Sequence, residues 1–325
     1  MLGIGLVGTG FLGVRHLKHL TAIDDVQVTG IWDIERERLH QVSEEFKVPK
    51  ADNFKHLLEN SDAIVCVSTT SSHYDIGYET LINHKPLFVE KPLCATAKDA
   101  RELVDLAEYN NIVLQVGHIE RFNRATRALA GNKTAPRFIE AHRLANWNPR
   151  GGDVSVVYDL MIHDLDLILY LTREKPIHIH ANGVGVVTNS VDIANARIEL
   201  TSGAVANVTA SRISLKMMRK MRLFGENKYI ALDFAKGTCE YVGVATDDEA
   251  FPKSSEILGE IGIEKHKKTL YRNYLSSIEG DALRMELEAF RDSILHKKEV
   301  KVSGREALDA LELAEEINHQ ITQTF

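Results

Sequence analysis

Gly8-Thr9-Gly10-Phe11-Leu12-Gly13 lies between an apolar run and an amphipathic one, and few structures accept that spacing in that setting. Ile4 and Leu6 alternate before it as in a strand, and His16, Leu17 and Leu20 continue after it as one helix face. In a strand–turn–helix unit the first glycine permits the tight turn and the second lets backbone N–H groups approach a pyrophosphate. The third lets the helix lie close to the strand. The helix N-terminus adds roughly half a positive charge for the phosphates. Asp33 ends the second apolar run, VQVTGIWD, twenty residues beyond Gly13. A carboxylate there accepts the adenosine ribose hydroxyls and repels a 2′-phosphate, which favours NAD over NADP. Its plainer reading is a cap on a helix beginning near Ile34. Gly8, Gly10, Phe11, Leu12, Gly13 and Asp33 are thus the first candidates for holding the cofactor.

Over the first ~118 residues, strand candidates GIGLVG, VQVTGIWD, AIVCVST, PLFVE and IVLQVG alternate with helical stretches near 35–46, 74–84 and 97–110. That alternation predicts a doubly wound parallel α/β sheet of the Rossmann kind. The pattern then changes. A helix near 119–130 leads into the strand PRFIEAHRL, an Asn/Pro/Gly loop and a strongly apolar helix near 155–171. From 176 to 243 long strands are joined by polar turns, Ser202–Gly203 among them, so neighbours should be antiparallel. Residues 245–280 are charged and poorly periodic and predict a long loop or surface insertion, and two helices near 282–296 and 304–322 close the chain. The expected organisation is a dinucleotide-binding domain over 1–118 and an α+β domain over 119–325, a largely antiparallel sheet covered by helices, for substrate and oligomer contacts. Few helices are available to cover both faces of that sheet, which predicts a homodimer or homotetramer.

Glu90-Lys91-Pro92 stands at the carboxyl end of an apolar strand, the edge at which open α/β sheets bind ligands. The preceding strand ends in STTSSH, residues 68–73, so Thr69, His73, Glu90 and Lys91 join the cofactor candidates. On the apolar helix, Asp159 and His163 are four apart and Asp166 is three further on, which predicts one ionisable stripe. Such a stripe is either a hydrogen-bonded core histidine with its carboxylates or a general base oriented by a carboxylate.

The GTGFLG turn with its following His16, Asp33, STTSSH, Glu90-Lys91-Pro92 and Asp159-x-x-x-His163 occur in this order along the chain. Together they resemble the glucose–fructose oxidoreductase/inositol dehydrogenase (Gfo/Idh/MocA) family over essentially the whole length. The resemblance implies an NAD-dependent dehydrogenase in which Lys91, Asp159 and His163 act on a substrate hydroxyl. An imidazole can take the alcohol proton, an ammonium can stabilise the developing alkoxide, and Asp159 can either orient the ring or bind a neighbouring hydroxyl. No metal is required for that chemistry. Family members that only regulate typically lack the Lys and His that this chain keeps.

VGHIERFNRA, HRLANWNPRGGDVSVVYDLMIHDLDLIL, VDIANARIEL and ANVTASRIS resemble one sub-group. Its members oxidise the 3-hydroxyl of UDP-N-acetylglucosamine, and an aminotransferase then converts the ketone for a modified lipid A. The charge distribution agrees. Residues 120–150 hold seven basic side chains (Arg121, Arg124, Arg127, Lys133, Arg137, Arg143, Arg150) against Glu120 and Glu140, a local +5 in a chain of net −7. A solvated basic helix and strand is one reading of that stretch; a diphosphate site using Arg121, Arg143 or Arg150 is the other. Trp147 is either a stacking face for the uracil or sugar or a loop anchor, and Asn123 and Tyr158 are further substrate candidates. Another sugar or a polyol such as inositol is the alternative substrate. The net charge argues against nucleic acid or a membrane as partner. Cys66, Cys94 and Cys239, odd in number and without metal-ligand spacing, suit a reducing cytoplasm.

Overall fold

A computed structural model describes every residue except 131, 133, 149–153, 247–250, 263–266 and 324–325. The chain divides into two compact units, Met1–Ile119 with Gly280–Glu312, and Glu120–Glu279 with Leu313–Phe325.

The first unit is a five-stranded parallel sheet, β1 (Leu2–Val7), β2 (Val26–Trp32), β3 (Ala63–Cys66), β4 (Leu87–Glu90) and β5 (Leu114–Gly117), in the order β2-β1-β3-β4-β5. Helices α1 (Phe11–Leu20), α2 (Arg36–Phe46), α4 (His73–Ile82) and α5 (Ala97–Tyr109) make the crossovers, with a short α3 (Phe54–Glu59) before β3. The strands are buried on both faces, which is why they read as nearly continuous apolar runs. Strand order reverses about β1, so the carboxyl ends of β1 and β3 flank a topological switch point, the place where such sheets bind ligands.

The expected extent of the second domain, 119–325, requires correction at its C-terminal end. Helix α8 (Ala282–Leu295) buries Leu287 and Phe290 in the same core as Leu6, Leu17, Leu20 and Phe88, with Phe290 edge-on to Phe88 at 5.9 Å. The Gln115 amide reaches the Glu286 carbonyl at 2.9 Å. An amphipathic stripe establishes that a helix is buried on one side, not which sheet it covers.

The second unit is built on a nine-stranded sheet of order β13-β14-β12-β11-β10-β6-β9-β8-β7. Its strands are β6 (Phe138–Leu144), β7 (Pro176–Val184), β8 (Ile193–Leu200), β9 (Val205–Ser211), β10 (Met218–Gly225), β11 (Lys228–Asp233), β12 (Thr238–Thr246), β13 (Glu256–Ile261) and β14 (Lys268–Leu275). All pairings are antiparallel except β6 with β9. Strands β13 and β14 replace the loop expected over 245–280. Every residue of β13 is exposed, so no buried face imposes a period of two on its sequence. The helix expected near 119–130 is a 3₁₀ turn, Ile119–Phe122, and one turn of helix, α6 (Arg124–Arg127). The apolar helix begins as a π-turn, Val157–Met161, and continues as α7 (Ile162–Thr172), which packs on β9. Helix α9 (Gly304–Gln323) is shared between the two units. Among the described residues no helix is long and apolar enough to cross a membrane, and the three cysteines are buried and unpaired.

Candidate active site

In the first unit, Gly8, Gly10, Thr69, Glu90 and Lys91 all lie at or just beyond the carboxyl ends of β1, β3 and β4. Gly8 has φ +93°, and a Cβ on Gly13 would sit 2.0 Å from the Gly8 carbonyl oxygen. Both positions therefore require glycine for the turn and for the close helix–strand approach. A Cβ on Gly10 would meet nothing within 4 Å, which leaves the space above the turn open. Phe11 and Leu12 are 64% and 46% exposed, and the first turn of α1 carries no acidic residue. An open helix N-terminus without negative charge suits a pyrophosphate, and the residues present fit the cofactor expected there.

Asp33 accepts donors from both the glycine turn and the start of α2. Its Oδ2 accepts from the Thr9 N–H at 2.7 Å and the Thr9 hydroxyl at 2.9 Å, and its Oδ1 accepts from the Glu35 N–H at 2.8 Å. Arg38, which the sequence reading missed, donates to both oxygens at 2.9 and 3.0 Å. Burial would raise this carboxyl; the donors from Thr9, Glu35 and Arg38 outweigh it and hold Asp33 below the usual carboxylate range. Ile34, beside it, is 80% exposed.

Glu90 and His73, both expected in the cofactor set, also make contacts within the protein. Glu90 Oε1 lies 2.8 Å from Nε2 of the fully buried His16, and its Oε2 accepts from the Lys91 N–H at 3.1 Å. Burial raises its carboxyl, but His16 and then Lys91 pull it below the ordinary value. A Cβ on Gly117 of the neighbouring strand would lie 2.8 Å from Glu90 Oε2, so that strand is cut away to admit the carboxylate. Glu90 thus couples α1 to the Lys91 loop. His73 is buried, its ring nitrogens 2.9 Å from the Pro92 carbonyl and 3.2 Å from the Ser68 carbonyl, and its neutral ring donates to one of the two. Burial pushes its pKa down against those carbonyls. Thr69 remains exposed at the end of β3.

In the second unit, Tyr158, Asp159 and His163 are each half-buried along the π-turn and the start of α7. π-turns inside helices frequently mark functional sites. Burial and the nearby Glu315 push the Tyr158 hydroxyl up to about 12, so it stays a proton donor at neutral pH. Asp166 does not join Asp159 and His163. It is fully buried and held by Arg121, from Nε at 2.9 Å and Nη2 at 2.6 Å, with that guanidinium stacked 4.6 Å from the Tyr170 ring.

The expected diphosphate site needs the same correction. Arg143 is 3% exposed and donates to Asp164 at 2.9 and 2.8 Å and to Glu120 at 2.7 Å. The two carboxylates, outweighing burial, raise its pKa above the usual arginine value. Asn123 also turns inward: its amide donates to Glu120 at 2.9 Å and to the Phe234 carbonyl at 3.0 Å, and its carbonyl caps Ala125 N–H at 3.0 Å. Of the other basic residues, Arg124 meets Glu279, Arg137 meets Glu226, and Arg127 donates to the Phe122 and Ile278 carbonyls. Counting charge along the sequence missed these partners because some come from up to 155 residues away. Arg150 and Lys133 lie outside the described residues. Trp147 is 44% exposed and remains available to a ligand. Among the described residues no three His, Cys, Asp or Glu are gathered as a metal set.

Family models match both parts of the chain: an oxidoreductase family, NAD-binding Rossmann fold, over residues 2–118, and a GFO/IDH/MocA C-terminal domain over residues 121–231. The chain belongs to the Gfo/Idh/MocA oxidoreductase family. Its first unit is therefore an NAD-binding domain. The chain is 33% identical over 312 residues to a UDP-N-acetylglucosamine 3-dehydrogenase of Acidithiobacillus ferrooxidans, covering 94% of each. A solved structure of that enzyme superposes with a TM-score of 0.86 at 30% identity, over 99% of this chain and 98% of the other. A myo-inositol 2-dehydrogenase of Thermotoga maritima is 26% identical, over 76% of this chain and 78% of its own. A scyllo-inositol dehydrogenase of Lactobacillus casei, solved with NAD(H) and scyllo-inositol, shares the fold with a TM-score of 0.78 at 17% identity, over 100% and 98% of the two chains.

Arg143→Met leaves Asp164 and Glu120 buried without their cation and should cost roughly 3–5 kcal/mol of stability by urea denaturation. A variant as stable as the parent would return Arg143 to the list of substrate-facing residues.

Proposed function

We propose that this protein is an NAD-dependent dehydrogenase that oxidises the 3-hydroxyl of UDP-N-acetylglucosamine to a ketone. The observation that carries the proposal is the relative of that activity at 33% identity over 94% of both chains. The exposed Trp147, in a segment that matches the sub-group, supports a stacking contact with the uracil or the sugar. Bound nicotinamide supplies the hydride acceptor. Glycines 8, 10 and 13 with Phe11 and Leu12 would seat the pyrophosphate, Asp33 the adenosine ribose, and Thr69 and Lys91 the nicotinamide end.

In this reading Lys91 hydrogen-bonds the reacting oxygen, stabilising it as its proton leaves, and His163 takes that proton. Asp159 orients the imidazole or binds a neighbouring hydroxyl, and Tyr158 donates to the substrate. Lys91→Ala and His163→Asn should each lower kcat by about 10²-fold or more, the scale of lost acid–base catalysis. Calorimetry should find NADH affinity little changed by His163→Asn. Near-normal turnover in His163→Asn would make α7 a structural helix.

With NAD, UDP-N-acetylglucosamine should give NADH, and free N-acetylglucosamine or inositol little. Trapping the ketone, or adding an aminotransferase with an amino donor, draws the unfavourable equilibrium forward. Such an aminotransferase would be the partner that converts the ketone to an amine for a modified lipid A precursor. Inositol or glucose turned over as fast as the UDP-sugar would promote the polyol reading, which the inositol dehydrogenase relatives favour.

The same proposal seats a second copy on the open face of the large sheet. There Phe138, Phe224 and Tyr229 are cross-strand neighbours, with ring centroids 5.7 and 5.0 Å apart, and all three are only half-buried. Light scattering at micromolar concentration should return a dimer or tetramer mass; a monomer would contradict it.

A further inference from the structure

We propose that a cavity in the second unit, beside the start of the π-turn, is a binding site for an uncharged sugar or polyol. The site stands apart from the reaction and substrate assigned above.

The cavity holds about 460 Å³ and lies between the β7–β8 connection, the start of the π-turn and the last turns of α9. That volume is ordinary for a small-molecule site, which spans about 300–1,000 Å³. Its polar lining is Ser155, Thr188, Asn189, Ser190, Asn318 and Thr322, and Val184 and Val191 add an apolar wall. Asp159, His163 and Trp147 are not among the lining residues. No charged side chain is among them either, so an ionic ligand would lose its water without gaining a counter-charge. Hydroxyl and amide side chains both donate and accept, as sugar hydroxyls do. The two valines match the C–H face of a sugar ring.

Buried contacts outside the cavity hold its walls. Asp192 is fully buried and accepts from the Val186, Val187 and Thr188 N–H groups at 2.8, 2.7 and 2.9 Å and from the Thr188 hydroxyl at 2.8 Å. A Cβ on Gly185 would lie 2.6 Å from the Ser190 carbonyl oxygen, so the connection closes tightly on itself. Across from it, Asn318 and Thr322 are four apart on α9 and share one face. Asn318 Oδ1 is buried and takes no hydrogen bond from a described residue. Buried amide oxygens nearly always find a donor, and a ligand hydroxyl in the cavity would be one. Ser155 accepts from the Tyr158 and Asp159 N–H groups at 3.1 and 3.2 Å through its carbonyl, and from the Val157 N–H at 3.3 Å through its hydroxyl. The cavity thus borders the segment that carries Tyr158 and Asp159 without including either.

The test is titration of glucose and myo-inositol against the full-length protein with NADH present, followed by ligand-observed NMR. Glucose 6-phosphate is the charged comparison. The neutral probes should bind saturably with dissociation constants of about a millimolar, as suits ligands of this size. Glucose 6-phosphate should bind at least about tenfold more weakly than glucose. Asn318→Leu should weaken the neutral probes about tenfold, the worth of one buried hydrogen bond. Thr322→Trp, which sets an indole at the exposed rim, should abolish their binding, and it also serves if Asn318→Leu does not fold. His163→Asn should leave it unchanged. No saturation below about 50 mM would overturn the proposal. Binding that survives both cavity variants would overturn it too, as would binding lost in His163→Asn, which would place the probe at the catalytic segment. Glucose 6-phosphate bound as tightly as glucose would overturn the uncharged class of ligand.

Discussion

A carboxylate taken out of water must meet cations or donors, because its uncompensated burial costs more than the fold can supply. Asp33, Glu90, Asp164 and Asp166 are all buried or nearly so, and each meets that requirement by holding a functional segment in place. Asp33 ties the glycine turn to the start of α2 through Thr9 and Glu35. Glu90 ties α1 to the Lys91 loop through His16. Asp164 and Asp166 fasten α7 to β6 and to the 3₁₀ turn through Arg143 and Arg121.

This arrangement separates two kinds of ionisable group along α7. The inward carboxylates are consumed by arginines, which fixes the helix axially and in rotation. Asp159 and His163 are left half-buried on the segment that begins with a π-turn. A proton-transferring imidazole needs contact with a substrate and an orientation that does not drift. The arginine–aspartate pairs underneath provide the second condition. They also account for Arg121 and Arg143, two of the seven basic residues over 120–150, without invoking a ligand.

In the first unit the same economy makes Asp33 tie the glycine turn to the start of α2. Its carboxylate accepts from Thr9, Glu35 and Arg38 at once.

Much of the first unit was legible in the sequence, because its signals are local. The G-x-G-x-x-G spacing and the Asp33 position are read within about thirty residues, each apolar run is read by itself, and β1 to β5 form where those runs fall. The Ser202–Gly203 hairpin joining β8 and β9 was legible for the same reason. Periodicity also marked α8, but not the sheet it covers. The fully exposed β13 left no alternation to read. The roles of Arg121, Arg143 and Asn123 were decided by tertiary structure alone. A cation's partner is whichever carboxylate the fold brings within about 3 Å, and for Arg143 that includes Asp164, 21 residues away. Sequence determined which groups carry charge and where chains turn; only the packed structure decided which charges were spent internally and which were left for a ligand.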